Sequence, residues 1–420
     1  MFVELGAVGA IAYGYRRWNS RDAYYMKKEM KKIFEDNKLD YYTIIDVKRC
    51  LPWGYSIIIN LNGKGFEKLS GAKDSIETKL GYETYIEQNR NLKTATIKII
   101  VLPLTENTEF RPYKTKPYEI YGGLSYTMQE LVVNMRRFPN ILVSGQVGAG
   151  KTEIIRILLC NLINNFTERD VNIYFADLAD VADYDVFQKC KQVKGYARTL
   201  EETEKLFNYL IHVYTKRLEI FAKNGCKNIQ EYNDKFYGKR MAYDYLVLDE
   251  FGDYFPVNKL EDNYQVKVKC YNLIKHMTRK FRKVGIYLIV GIQRPDTSIL
   301  DPNLKANLCT KIGFSQNNDA SSLVICDTTE LANIENRKAL LMYGNKRAWF
   351  KSLYINDDLI TEYIKLSIVN GSREELDDYN KFLPKKEVKV VKEKQNLPYA
   401  TITKEKKSPK LKTKVKVKIK

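Results

Sequence analysis

Between residues 140 and 163 the chain reads NILVSGQVGAGKTEIIRILLCNLI, and no other stretch restricts the fold so tightly. A short apolar run, ILVS, leads into Gly145–Thr152, which fits the pattern G-x-x-x-x-G-K-[ST]. An apolar segment at helical spacing follows. Strand, glycine loop and helix in that order form a cradle for phosphate groups. The glycines let successive backbone N–H groups point inward at one anion. The helix start adds partial positive charge. The eight loop residues Gly145, Gln146, Val147, Gly148, Ala149, Gly150, Lys151 and Thr152 are therefore the candidate nucleotide contacts. Lys151 is expected to reach the outer phosphates of ATP, and the Thr152 hydroxyl to bind Mg2+.

Two further runs extend this reading. YDYLVLDEFGD at 243–253 is an apolar strand ending in two carboxylates. Asp249 is expected to hold Mg2+, mostly through water, and Glu250 to polarise the attacking water. IYLIVGIQRP at 286–295 is a strand that delivers Gln293 to its tip. A polar group there can contact the terminal phosphate. Arg294 beside it is either a phosphate partner or a plain surface charge.

Other apolar runs set the architecture. Candidate strands at 140–145, 171–177, 243–250, 286–293 and 308–315 alternate with helical stretches. Apolar strands separated by helices predict a mostly parallel sheet covered on both faces. A hairpin-like pair at 338–345 and 347–355 closes this region. Ahead of it, strand-like runs at 41–48, 55–62 and 95–104 flank a helical stretch at 65–81, which predicts a small α+β unit. The expected division is an N-terminal apolar segment and helix at 1–38, the α+β domain at 39–104, a linker at 105–117, an α/β domain at 118–370 and a tail at 371–420.

Charge is concentrated at the end of the chain. The net charge is +19 over 420 residues, yet Lys385–Lys420 alone holds 14 lysines and 3 glutamates, a net of +11. Few large apolar groups lie beyond Leu383, so this tail is expected to be disordered. Such an arm binds phosphates without reading sequence, and an anionic membrane could also take it. The seven cysteines contain no CxxC pair and only His212 and His276 accompany them, so a zinc site is not expected. Three readings stand for Phe2–Tyr15: a docked surface helix, a weak membrane anchor with Arg16 and Arg17 at the cytoplasmic face, or a disordered end. The expected location is the cytoplasm, with peripheral contact at the inner face of the cell membrane under the anchor reading.

FPNILVSGQVGAGKT, VLDEFGDYF and LIVGIQRPDTSILDPNLKANLCTKIGF, in this order, resemble the motor core of FtsK/SpoIIIE-type DNA translocases and the related conjugative coupling proteins. RLEIFAKNGCKNIQEYN at 217–233 adds to the resemblance, which covers about Phe138 to Ile355. It implies an ATP-hydrolysing motor of RecA-like P-loop fold, a ring homo-hexamer, double-stranded DNA in the channel and ATP with Mg2+ at subunit boundaries. Moving the DNA of a mobile element, with a relaxase or transfer complex as partner, is the leading function. Genome packaging, protein secretion and a non-hydrolysing scaffold are the alternatives. The chain departs from the family's pattern at FADLADVADYD, which lacks a lysine, and at NNDASSLVICD, which lacks an arginine. Arg294, Lys311 and Arg337 stand as sources of a cation acting on a neighbour's nucleotide.

Overall fold

The computed structural model describes residues 21–369 apart from 106, 180 and 181. The expectations for Phe2–Tyr15 and for the basic tail therefore lie outside the described residues.

Residues 21–36 form a helix, α1. Strands β1 (Thr43–Cys50), β2 (Gly54–Asn60), β3 (Glu83–Gln88) and β4 (Thr94–Ile100) make an antiparallel sheet in the order β1-β2-β4-β3. Alternate residues Ile57, Ile59, Ile97 and Ile99 of the two central strands are fully buried, as the two-residue period of a half-covered sheet requires. They share a core with Ile33 and Phe34 of α1 and with Leu69 and Ile76. The helical stretch expected at 65–81 is two helices, α2 (Phe66–Gly71) and α3 (Lys73–Leu80), divided at Ala72.

The larger sheet contains β7 (Ile141–Ser144), β8 (Val171–Ala176), β9 (Val193–Ala197), β10 (Tyr243–Leu248), β11 (Ile286–Ile292), β12 (Thr310–Gly313), β13 (Lys338–Tyr343) and β14 (Lys346–Lys351). Their order is β14-β13-β12-β7-β11-β10-β8-β9. The six strands from β12 to β9 run parallel, β13 is antiparallel to β12, and β14 is antiparallel to β13. Every residue of β7, β10 and β11 is buried, so helices cover the sheet on both sides. In one helical layer, α4 (Lys151–Asn165) packs with α10 (Asp357–Ile364) and with the hairpin β5–β6 (Glu119–Leu124, Glu130–Asn134). In another, α5 (Leu200–Lys223) packs with α7 (Tyr264–Lys280). Short helices α6 (Ile229–Lys235), α8 (Pro302–Asn307) and α9 (Asp319–Cys326) fill the connections. The fold is the mostly parallel α/β sheet, covered on both faces, that the alternating runs predict.

The consequence for the site is positional. β11 lies between β7 and β10. Because the three strands are parallel, their C-terminal ends bring Gly145, Asp249–Glu250 and Gln293 to one edge of the sheet.

Two connections matter later. Arg217 of α5 reaches the start of β10, where its guanidinium pairs with the buried Asp244 at 2.8 Å and donates to the Val284 carbonyl at 2.7 Å. Tyr85 of the small sheet stacks on Tyr126 at 5.8 Å and lies 6.2 Å from Trp349 of β14. Lys338 enters the same aromatic group, 5.3 Å from the Trp349 ring, and pairs with Glu83.

Candidate functional site

The glycine loop leaves little room for side chains where it turns. A Cβ on Gly145 would stand 2.8 Å from the Phe314 Cβ, and one on Gly150 would stand 2.8 Å from the Phe314 ring. Gly150 also has φ 117, in the region that favours glycine. The loop is fastened from outside: the Gln146 N–H donates to the Ser315 carbonyl at 3.0 Å, and the Arg337 N–H donates to the Ala149 carbonyl at 2.9 Å. Val147, at the loop's tip, is 86% exposed.

Lys151, the first residue of α4, is 5% exposed. Its ammonium donates to the Asp249 carbonyl at 2.8 Å and to Glu250 Oε2 at 3.2 Å, and lies 3.7 Å from Asp249 Oδ1. β11 makes this approach feasible because position 291 is glycine: a Cβ there would overlap the Asp249 carbonyl oxygen.

Glu250 is held from three sides. The Gln293 N–H donates to both carboxylate oxygens, at 3.2 and 3.0 Å, and the Gly252 N–H donates to Oε1 at 3.3 Å. Burial raises its pKa above the ordinary glutamate value, and the Lys151 charge works against that rise. Burial likewise raises Asp177 and Asp253. Asp249 Oδ1 accepts from the Tyr184 hydroxyl at 2.6 Å, and the Thr152 hydroxyl faces Asp183 Oδ2 at 3.5 Å.

The structure thus brings Lys151, Thr152, Asp249 and Glu250 together with the backbone of Gln293. The Gln293 contact is made by its peptide N–H. Arg294 is exposed and forms no ion pair among the described residues. Lys311 pairs with Asp327 at 3.0 Å, and the Arg337 guanidinium donates to the Ser352 carbonyl at 3.1 Å.

Sequence reasoning missed Asp183 and Tyr184. The only signal was an acid-rich FADLADVADYD where a lysine was sought. It also missed a basic tract at the opposite edge of the sheet. Arg136, Arg279, Lys280, Arg282 and Lys283 line a cleft of about 820 Å3 with no carboxylate in its walls. None of Arg279, Lys280, Arg282 and Lys283 forms an ion pair among the described residues. His276 nearby is lowered by burial and then by Arg279 and Lys280.

These residues fit a magnesium nucleotide. The loop is a cradle that side chains would fill, Lys151 supplies a positive charge beside it, and Thr152 and Asp249 supply the hard oxygen donors that Mg2+ selects.

Comparison with known proteins agrees with the fold and with the resemblance drawn from the motifs. Residues 114–258 match the FtsK/SpoIIIE family. The DNA translocase SftA of Bacillus subtilis is 23% identical over 265 residues, covering 61% of this chain and 26% of that protein. The DNA translocase FtsK of Caldanaerobacter subterraneus is 23% identical over 225 residues, covering 53% of this chain and 30% of that protein. The chain thus spans less than a third of these relatives' length. Among solved structures, the pCW3 conjugation coupling protein TcpA, in a monomer form with ATPgS, superposes with a TM-score of 0.59 at 21% identity. It covers 81% of this chain and 99% of its own. The cytoplasmic domain of the Thermomonospora curvata type VII secretion ATPase EccC gives a TM-score of 0.53 at 18% identity, over 63% of this chain and 32% of its own. These two likenesses establish the fold.

Proposed function

We propose, from the FtsK/SpoIIIE domain at residues 114–258, that the protein is an ATP-hydrolysing motor that moves double-stranded DNA. The observation that carries this reading is the convergence on Glu250. Its carboxylate is partly buried, fixed by the Gln293 and Gly252 amides, and set 3.2 Å from the Lys151 ammonium. A base at the lip of a phosphate cradle is the arrangement that nucleotide hydrolysis needs.

In this proposal the loop N–H groups and Lys151 hold the phosphates, while Thr152 and Asp249 hold Mg2+. Bound Mg2+ would offset the charge that develops on the phosphate oxygens. Glu250 orients water and takes its proton. Gln293 fixes Glu250 through its backbone, which leaves its amide side chain to face the terminal phosphate. We assign a ring homo-hexamer as the working assembly and transfer of a mobile element, with a relaxase or transfer complex as partner, as the process. Cytoplasmic location, with peripheral contact at the inner membrane face through the N-terminal segment, belongs to the same proposal. For the cation offered to a neighbour's nucleotide, Lys311 is compensated by Asp327, and Arg337 is tied to its own loop. Arg294 is the better source because it is exposed and forms no ion pair among the described residues.

The test is ATP turnover of the full chain with and without duplex DNA, in each assembly state. Turnover is expected to rise with duplex. If no assembly state responds to duplex, the DNA motor reading fails and a protein cargo becomes the better one.

A further inference from the structure

The loop that follows β8 touches the site twice. Its consecutive residues Asp183 and Tyr184 each meet one of the two side chains assigned to Mg2+. The Tyr184 hydroxyl donates to Asp249 Oδ1 at 2.6 Å. The Thr152 hydroxyl faces Asp183 Oδ2 at 3.5 Å, the outer limit of a hydrogen bond.

Tyr184 is fully buried, and its ring stacks on Phe175 of β8 at 5.6 Å, with Tyr196 of β9 on Phe175 at 5.0 Å. Packing alone would be met by a phenylalanine, which has the same ring. The hydroxyl adds one donor, and its acceptor is the Asp249 carboxylate. A carboxylate turns about its last side-chain bond through a broad torsional well. Fixing Oδ1 therefore fixes the direction of Oδ2. Among the described residues, Oδ2 receives no hydrogen bond. Mg2+ demands near-octahedral geometry and keeps several waters, so the direction of each accepting oxygen matters to it.

We propose that Tyr184 is a positioning residue for the metal: its hydroxyl pins one oxygen of Asp249, so that the other faces the water shell of Mg2+. Tyr184 touches neither metal nor nucleotide and acts through Asp249 alone. This inference rests on the reading of the site as a magnesium nucleotide site.

Tyr184→Phe in the full chain removes the hydroxyl and keeps the ring. Two quantities are measured: affinity for a fluorescent ATP analogue in EDTA, and the Mg2+ concentration that half-restores tight binding. Affinity in EDTA is expected to stay unchanged. The Mg2+ requirement is expected to rise about 10-fold, the lower end of what such supporting partners contribute. In an Asp249→Asn background the same substitution is expected to add nothing, since the carboxylate it acts through is gone. An unaltered Mg2+ requirement, or an equal rise in the Asp249→Asn background, overturns the role of Tyr184. If the unsubstituted protein binds no nucleotide, the site reading falls and takes this inference with it.

Discussion

The two edges of the eight-stranded sheet treat charge in opposite ways. At the C-terminal ends of β7, β10 and β11, cation and acids neutralise one another within the chain: Lys151 lies against Asp249 and Glu250, and backbone amides bind the Glu250 carboxylate. At the N-terminal ends, Arg279, Lys280, Arg282 and Lys283 line one cleft and form no ion pair among the described residues. Arg217, deeper in, has its own buried partner, Asp244. A self-neutralised edge is ready to exchange internal partners for a ligand that brings both phosphates and a cation. An uncompensated edge waits for a negative charge from another molecule.

Removing Lys151 should break the comparison hardest. Lys151→Ala leaves the buried Asp249 and the partly buried Glu250 without their cation, and ATP turnover is expected to fall to background. Folding stability is expected to drop by about 3–5 kcal/mol, the usual cost of leaving a buried charge unpaired. Thermal melts and a turnover assay check both. Turnover that persists would mean that Lys151 does not serve the phosphates.

Glu250→Gln is milder because it removes the charge and keeps the shape. Hydrolysis is expected to fall by about 10²-fold or more, within the range for losing a general base. Nucleotide binding with Mg2+ is expected to survive, since Lys151, Thr152 and Asp249 remain. Equal loss of binding and turnover would recast Glu250 as a binding group.

The pH profile sharpens the same edge. Burial favours the protonated form of Glu250, so the working base is lost at a higher pH than for an exposed glutamate. The acid limb of turnover is expected to lie above the ordinary glutamate pKa and to disappear in Glu250→Gln. The sign for stability is opposite. The folded chain holds this proton more tightly than the unfolded chain, so this group's contribution to stability falls as pH rises through the folded value.

The smallest effect on the fold is expected at the far edge. Replacing Arg279, Lys280, Arg282 and Lys283 by alanine removes no ion pair. Stability should therefore move by no more than about 0.5 kcal/mol per site. Duplex binding measured against salt should lose about 0.9 from its log–log slope for each phosphate contact removed. An unchanged slope would assign this edge to subunit contact and away from nucleic acid.

Legibility followed local chemistry. β7, β10 and β11 were readable because each is a largely apolar run, and the loop and the carboxylate pair sit at their ends. β3, with ETYIEQ, and β9, with VKGYA, escaped because both are short and interrupted by polar or glycine residues. The β5–β6 hairpin, with EIYGGL and ELVVN, escaped for similar reasons. The insertion of β11 between β7 and β10 is a pairing across distant segments, which no local pattern encodes. The peptide N–H of Gln293 becomes functional through the β10–β11 pairing, and the Tyr184 hydroxyl through the equally non-local pairing of β8 with β10.

Arg337 and Lys338 are neighbours in the chain but serve different sheets. The Arg337 amide holds the Ala149 carbonyl of the phosphate loop, and the Lys338 ammonium sits with Glu83, Tyr85 and Trp349 against the small sheet. A single peptide bond therefore joins the residue that holds the loop to the residue that meets the small sheet. Strain in the loop therefore has a route to the small sheet that enters only the first residue of β13, and a load on the small sheet reaches the loop by the same short lever.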